Sequence, residues 1–205
     1  MEFVFDIETL PAGDDKIPVI EELYKDYMNK RYSGPQKSYE EFLGSTALDG
    51  AFGRILCIGY AIDNEPVDII YDEDEEKMLK EFWQKVEKAD WIIGHNIVNF
   101  DLPFIMQRSV IKNVKPSREI KVLRYSHEPI FDTYMEWTMW SREHKPGSLD
   151  RLAKALGYPT SKDEMCGSEV YDYYRAGKIK DILRYCQKDV DLTRKIYKRL
   201  VFAEI

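Results

Sequence analysis

Cysteine is scarce in this sequence, long apolar runs are missing, and no stretch is low in complexity; each shortage closes off a class of protein. Cys57, Cys166 and Cys186 are odd in number and none sits in a Cys-x-x-Cys pair, which excludes a zinc ribbon or a disulfide framework and leaves reduced structural thiols. No apolar stretch approaches the roughly 18 residues that span a bilayer, so no membrane partner is expected. The start, Met1-Glu2-Phe3-Val4-Phe5-Asp6, has no basic segment ahead of an apolar one, and a cytoplasmic location is expected. With neither an internal repeat nor a Gly/Ser linker, 205 residues that are 44% hydrophobic suit a single domain over 1–205 with one full core.

Positive charge is also short overall, at a net −7, but it is unevenly placed. Residues 108–124 carry Arg108, Lys112, Lys115, Arg118, Lys121 and Arg124 against Glu119, a balance of +5, and residues 178–199 also balance at +5. An acidic chain can therefore present a basic groove to a polyanion, although scattered solvated lysines would give the same count.

The periodicities alternate between strand and helix. Strands are expected over residues 2–7, 54–62, 67–71, 91–94 and 129–133. The second and third are joined by Asp63-Asn64-Glu65-Pro66, short enough for an antiparallel pair. Met78, Leu79, Phe82, Trp83 and Val86 form a helix between the third and fourth, long enough for a parallel crossover, so the sheet is expected to be mixed. Further helices are expected at 102–111, at 149–156 between Ser148 and Gly157, and in two pieces after Ser168 broken near Gly177. Residues 11–53 fit no strand; helices over 19–32 and 39–43 make them an insertion packed on the surface, or a substrate grip. Trp83, Trp137 and Trp140 are expected in the core and His95 in a structural role, while His127 and His144 fall in loops.

Three groups of residues carry chemistry. Asp6 and Glu8 are two apart on a strand and share a face, where they repel unless a cation lies between them; alone, such a pair is as well read as solvated turn acids. Asp101 follows Gly94-His95-Asn96-Ile97-Val98-Asn99-Phe100 at the start of a helix, where it could be only a cap. Tyr185 and Asp189 lie one helical turn apart on one face, and Asp191 points elsewhere, toward solvent.

Phe5-Asp6-Ile7-Glu8-Thr9, then Asn99-Phe100-Asp101-Leu102-Pro103-Phe104, then Tyr185-x-x-x-Asp189 resemble the three exonuclease motifs of the DEDD superfamily in its tyrosine subtype, DEDDy. Within it the chain resembles the stand-alone PolB-like enzymes, kin to the proofreading domain of family B DNA polymerases. The histidine subtype places a His five residues before the last Asp, and Arg184 stands there. The resemblance implies an α/β, ribonuclease H-like fold with a mixed five-stranded sheet flanked by helices. It also implies two-metal hydrolysis, in which Asp6 bridges two divalent cations, Glu8 and Asp189 complete the site that activates water, Asp101 supports the second cation and Tyr185 orients the water. Oxygen donors select Mg²⁺ or Mn²⁺ over zinc. Thr9 and Leu10 would touch the terminal nucleotide, with Asn99 and Phe100 on the opposite wall. The implied partner is the 3' end of a single strand, DNA favoured over RNA, releasing nucleoside 5'-monophosphates; a replication or repair partner is not named by the sequence. Trimming of RNA 3' ends and a catalytically silent nucleic-acid-binding module stay open as alternatives.

Overall fold

Phe3, Phe5 and Ile7 alternate with Val4, Asp6 and Glu8 along β1 (Glu2–Leu10), so one face of this strand is apolar and the other ends in two acids. The computed structural model describes residues 1–30, 35–122, 128–141, 143, 145–160 and 165–203. Around β1 it assembles β2 (Arg54–Ile62) and β3 (Asp68–Ile70) as an antiparallel set, and β4 (Trp91–Gly94) and β5 (Ile130–Asp132) in parallel, in the order β3-β2-β1-β4-β5. This is the mixed five-stranded sheet expected. One expectation changes: β1 does not stop near residue 7 but runs to Leu10, held by β2 and bulged between Glu8 and Thr9. Asp6 and Glu8 therefore lie within the strand, beyond the end of its other neighbour, because β4 pairs with β1 only from Glu2 to Val4.

Between β1 and β2 come α1 (Ile17–Asn29) and α2 (Tyr39–Ser45). The expected end of the first helix at Tyr32 lies outside the described residues. Ser38 and Glu41 cap α2 reciprocally. Tyr24, Tyr27, Tyr39 and Phe42 pack into a small aromatic cluster of their own. The insertion is pinned to the sheet where the Ala12 amide donates to Thr46 Oγ1 at 2.9 Å and Thr9 Oγ1 donates to the Ala47 carbonyl at 2.7 Å.

The Phe3-Phe5-Ile7 face is covered by α3 (Glu75–Val86) and α4 (Asp101–Ile111), through Met78, Leu79, Phe82, Trp83, Phe104 and Ile105. After β5 follow α5 (Thr133–Trp137), α6 (Leu149–Leu156), α7 (Val170–Arg175) and α8 (Ile179–Leu200). The limits of α6 agree with its signals, since Ser148 Oγ accepts from the Arg151 amide and Gly157 adopts φ 76°. Leu152 and Ala153 of α6 are wholly buried against Leu192 and Ile196 of α8.

Helix α8 lies on the acidic face of β1 and comes close because Gly59, the ladder partner of Asp6, has no side chain. A Cβ there would stand 2.8 Å from Cys186 Sγ and 2.9 Å from Val190 Cγ2. Gly59→Val is accordingly expected to lower stability by about 1–3 kcal/mol through overpacking, read as an earlier urea midpoint at unchanged m value. An unmoved midpoint would mean that α8 can lift from the sheet freely.

Several side chains of the basic tracts are engaged within the protein. Arg108 is buried, with Nε and Nη2 donating to Glu75 at 2.9 and 2.6 Å, and Lys112 approaches the same carboxylate at 3.7 Å. Arg118 donates to carbonyls at the end of α3 and just beyond, Ala89 among them, while Arg124 lies outside the described residues. On α8, Arg194 and Lys195 pair with Asp191 at 2.9 and 2.7 Å, so Asp191 is ion-paired where plain solvation was expected. Trp83 is in the core as expected; Trp137 is 41% exposed and is not, and Trp140 is only partly buried, its Nε1 donating to Glu136. His127 and His144 lie outside the described residues. Among the described residues no helix is long and apolar enough to cross a membrane.

Candidate active site

Past Val4, β1 has lost its neighbour β4, and the amide of Ile7 would be left without a ladder acceptor. Asp101 supplies one, its Oδ1 accepting from Ile7 at 3.1 Å. Asp101 is the first residue of α4 and not its cap; Phe100 occupies the cap position without a side-chain hydrogen bond. From the opposite side α8 presents Tyr185 and Asp189 one turn apart, both 7% exposed. The fold thus brings Asp6, Glu8, Asp101, Tyr185 and Asp189 from three distant segments to one place, where the charges of Asp101, Glu8 and Asp189 all act on Asp6.

Cys186 joins them. Its Sγ is 3.9 Å from Asp6 Oδ2, and Asp6, Glu8 and Cys186 each offer one ligand atom within 4.8 Å of the others. All three cysteines are free thiols, as expected, but this one borders the acids, which an isolated Cys in a helix could not announce.

Crowding like charges in a buried place makes them hard to ionise. Burial, then the neighbouring acids Asp101, Glu8 and Asp189, hold Asp6 well above the ordinary carboxylate range. Glu8 is raised in the same way, by burial first and then by Cys57 and Asp189. Asp101 is pushed up to about 7 by burial, against the pull of the Ile7 amide. Tyr185 is raised by burial and by the charges of Asp189 and Glu8, which keeps the phenol protonated. No lysine or arginine among the described residues pairs with Asp6, Glu8 or Asp101, and that combination of buried oxygen donors without a cationic partner fits a divalent ion.

The raised values fix a sign for stability. An acid whose folded pKa lies above its unfolded one binds more protons in the native state, so its contribution is fully present below the unfolded value of about 4 and is lost as pH rises through the folded one. For Asp101 that loss centres on about 7. In EDTA the protein is expected to melt at a higher temperature at about pH 5 than at about pH 8, and Mn²⁺ to raise the melting temperature more at the higher pH. Calorimetry under the four conditions checks this; a Mn²⁺ effect independent of pH would count against ion binding by these acids.

Two cavities meet the acids. Asp6, Tyr185 and Asp189 open into one of 1140 Å³, bordered by His95, Asn99 and the first turns of α6 with Arg151 and Lys154. Glu8 opens into another of 430 Å³ with Thr9, Phe100 and Tyr171, and the insertion contributes Ala47 and Leu48 to its wall. Thr9 and Phe100 thus share a cavity, and Asn99 faces the other. The side chain of Leu10 reaches neither, being packed with Leu56, Val170 and Ile182. His95 lines the larger cavity, its Nδ1 2.9 Å from Thr133 Oγ1.

Asp132, which sequence reasoning passed over, shapes the loop between β4 and α4. Its carboxylate accepts from the amides of Asn96 and Val98 at 2.8 and 3.0 Å, while also capping α5 through Tyr134 and Met135. An Asp closing a strand before a helix was a readable capping signal; its two long-range acceptances were not.

Comparison with known proteins agrees with this architecture. Residues 61–204 match the family model described as a predicted 3'-5' exonuclease related to the exonuclease domain of PolB, a match that begins in β2 and leaves Asp6 and Glu8 outside it. An uncharacterized protein of Methanocaldococcus jannaschii is 28% identical over 167 residues, covering 77% of this chain and 91% of that protein. The family B DNA polymerase of the hyperthermophilic archaeon Pyrobaculum calidifontis superposes with a TM-score of 0.63 at 18% identity, over 97% of this chain and 24% of the polymerase. The fold is therefore ribonuclease H-like, and the chain spans about a quarter of that polymerase's length.

Proposed function

Because this chain belongs to the family of predicted 3'-5' exonucleases related to the exonuclease domain of PolB, we propose that it removes nucleotides one at a time from the 3' end of single-stranded DNA, as a tyrosine-type DEDD enzyme. The observation that carries this reading is the gathering of Asp6, Glu8, Asp101 and Asp189 around one point, with a protonated Tyr185 beside them.

Asp6, Glu8, Asp101 and Asp189 would hold two divalent cations, and their oxygen donors suit Mg²⁺ or Mn²⁺. Such ions, when bound, lower the pKa of the attacking water and neutralise charge on the attacking and leaving oxygens. The protein's own residues do the rest. Asp101 is oriented by the Ile7 amide, which donates to its Oδ1. Tyr185, with its proton retained, donates a hydrogen bond that orients the water and does not act as its base. Thr9 and Phe100 face the cavity next to Glu8, where a terminal nucleotide can lie, and Asn99 borders the larger cavity that receives the strand behind it. Gly44, Ala47 and Leu48 of the insertion line one wall of the cavity next to Glu8.

The test is incubation of a 3'-labelled single-stranded DNA, and of an RNA of the same sequence, with Mg²⁺, Mn²⁺ or EDTA. Labelled nucleoside 5'-monophosphate released from DNA, and only with a cation, is expected. Faster release from RNA would change the substrate; internal cuts, or no release under any condition, would overturn the reading.

A further inference from the structure

Asp6 and Asp189 on the wall of the larger cavity repel the polyanion that has to enter it, so the strand needs cations at the rim. Among the described residues no lysine or arginine of the two basic tracts is on the wall of that cavity, and Arg108, Lys112, Arg118, Arg194 and Lys195 are engaged with Glu75, with main-chain carbonyls or with Asp191. The cations on the wall of the larger cavity come instead from α6, which carries only Asp150 against Arg151 and Lys154. Lys154 is held by Asp150 at 2.9 Å. The guanidinium of Arg151 is exposed and makes no ion pair or hydrogen bond among the described residues; only its amide is engaged, by Ser148.

We propose that Arg151 binds a backbone phosphate of the substrate strand, other than the one being cut, and so holds the strand across the cavity from the carboxylates. This rests on the exonuclease reading and adds a contact to it. The mounting supports the role. Leu152 and Ala153, the next two residues, are wholly buried against Leu192 and Ile196 of the same helix that carries Tyr185 and Asp189, so the rim and the reacting groups share one rigid support. Ser148 and Gly157 cap both ends of α6 and keep Arg151 on its first turn. An arginine fork meets a phosphate with two parallel hydrogen bonds, which a lysine at the same place cannot do.

The experiment compares wild type, Arg151→Ala, Arg151→Lys and Lys154→Ala. Affinity for a 5'-fluorescein-labelled oligothymidylate is read by anisotropy in Ca²⁺, and steady-state hydrolysis in Mn²⁺, each across a salt series. Arg151→Ala is expected to raise both Kd and KM by about tenfold, with kcat changed less than about twofold, and to reduce the slope of log Kd on log salt by about 0.7. Arg151→Lys should keep the salt slope while recovering only part of the affinity, and Lys154→Ala should cost less than Arg151→Ala. The exposed position makes misfolding unexpected, and an unchanged melting temperature verifies it. If wild type binds and cuts but Arg151→Ala matches it, or if Lys154→Ala costs as much, the assignment of Arg151 is overturned and the exonuclease reading stands. If wild type neither binds nor cuts, the exonuclease reading falls and the assignment falls with it.

Discussion

Asp6→Asn is expected to lower kcat for release of the 3'-terminal nucleotide by at least about 1000-fold, since an interaction with the reacting centre worth several kcal/mol is removed at about 1.36 kcal/mol per tenfold. The substitution preserves shape and removes one charge from a crowded group. In the absence of cations it should therefore raise the melting temperature near neutral pH, because burial and the charges of Asp101, Glu8 and Asp189 all oppose ionised Asp6. The opposite movement of activity and stability is the signature: an inactive variant that also melts early would point to misfolding, and activity within tenfold of wild type would remove Asp6 from the proposed metal site. Single-turnover hydrolysis and calorimetry in EDTA give both readings from one preparation.

Arg108→Ala should do the reverse, costing stability before it touches chemistry. Glu75 is 7% exposed, and its Oε1 accepts from the Ile55 amide at 2.8 Å as well as from Arg108 Nε at 2.9 Å. Removing the guanidinium leaves that carboxylate buried beside only a partly exposed Lys112, for which about 3–5 kcal/mol is the usual cost of breaking such a pair. In a chain of this size that corresponds to a melting temperature lower by roughly 10 °C. Arg108 also donates to the Gly50 carbonyl at 3.3 Å, so the end of the insertion should loosen first, visible as faster amide exchange around Gly50. Replacing both partners by apolar residues should recover much of the loss; if it does not, the cost of an unpaired charge is the wrong explanation.

Local signals carried much of the fold. The limits of β2, β4 and α6 follow from an apolar run, from the crossover helix before it and from the pair Ser148 and Gly157, all written in adjacent residues. Failures arose where a partner lies far along the chain. Six basic side chains between 108 and 124 look alike as a count, yet Arg108 belongs to Glu75 and Arg118 to the carbonyls after α3. The extension of β1 to Leu10 depends on β2, the burial of Leu10 on α7 and α8, and neither is visible near residue 10. Strand and helix periods put Asp6 with Glu8, and Tyr185 with Asp189, on shared faces, but the role of these residues and of Asp101 was legible through the resemblance of the three ordered motifs. Asp132, Cys186 and Arg151 were not, since each matters through a neighbour that only the packed chain supplies.

The bare Cα of Gly59 has a further consequence, for the order of events in biosynthesis. Asp6 and Asp189 lie near opposite ends of the described chain, and they meet only when α8 settles onto β2 at that glycine. A contact closing so long a loop is entropically slow and comes after local elements have formed. A growing chain can thus fold β1 and β2 against α3 while its acids face an empty sheet. The proposed hydrolytic centre is complete only once α8 has been made and docked.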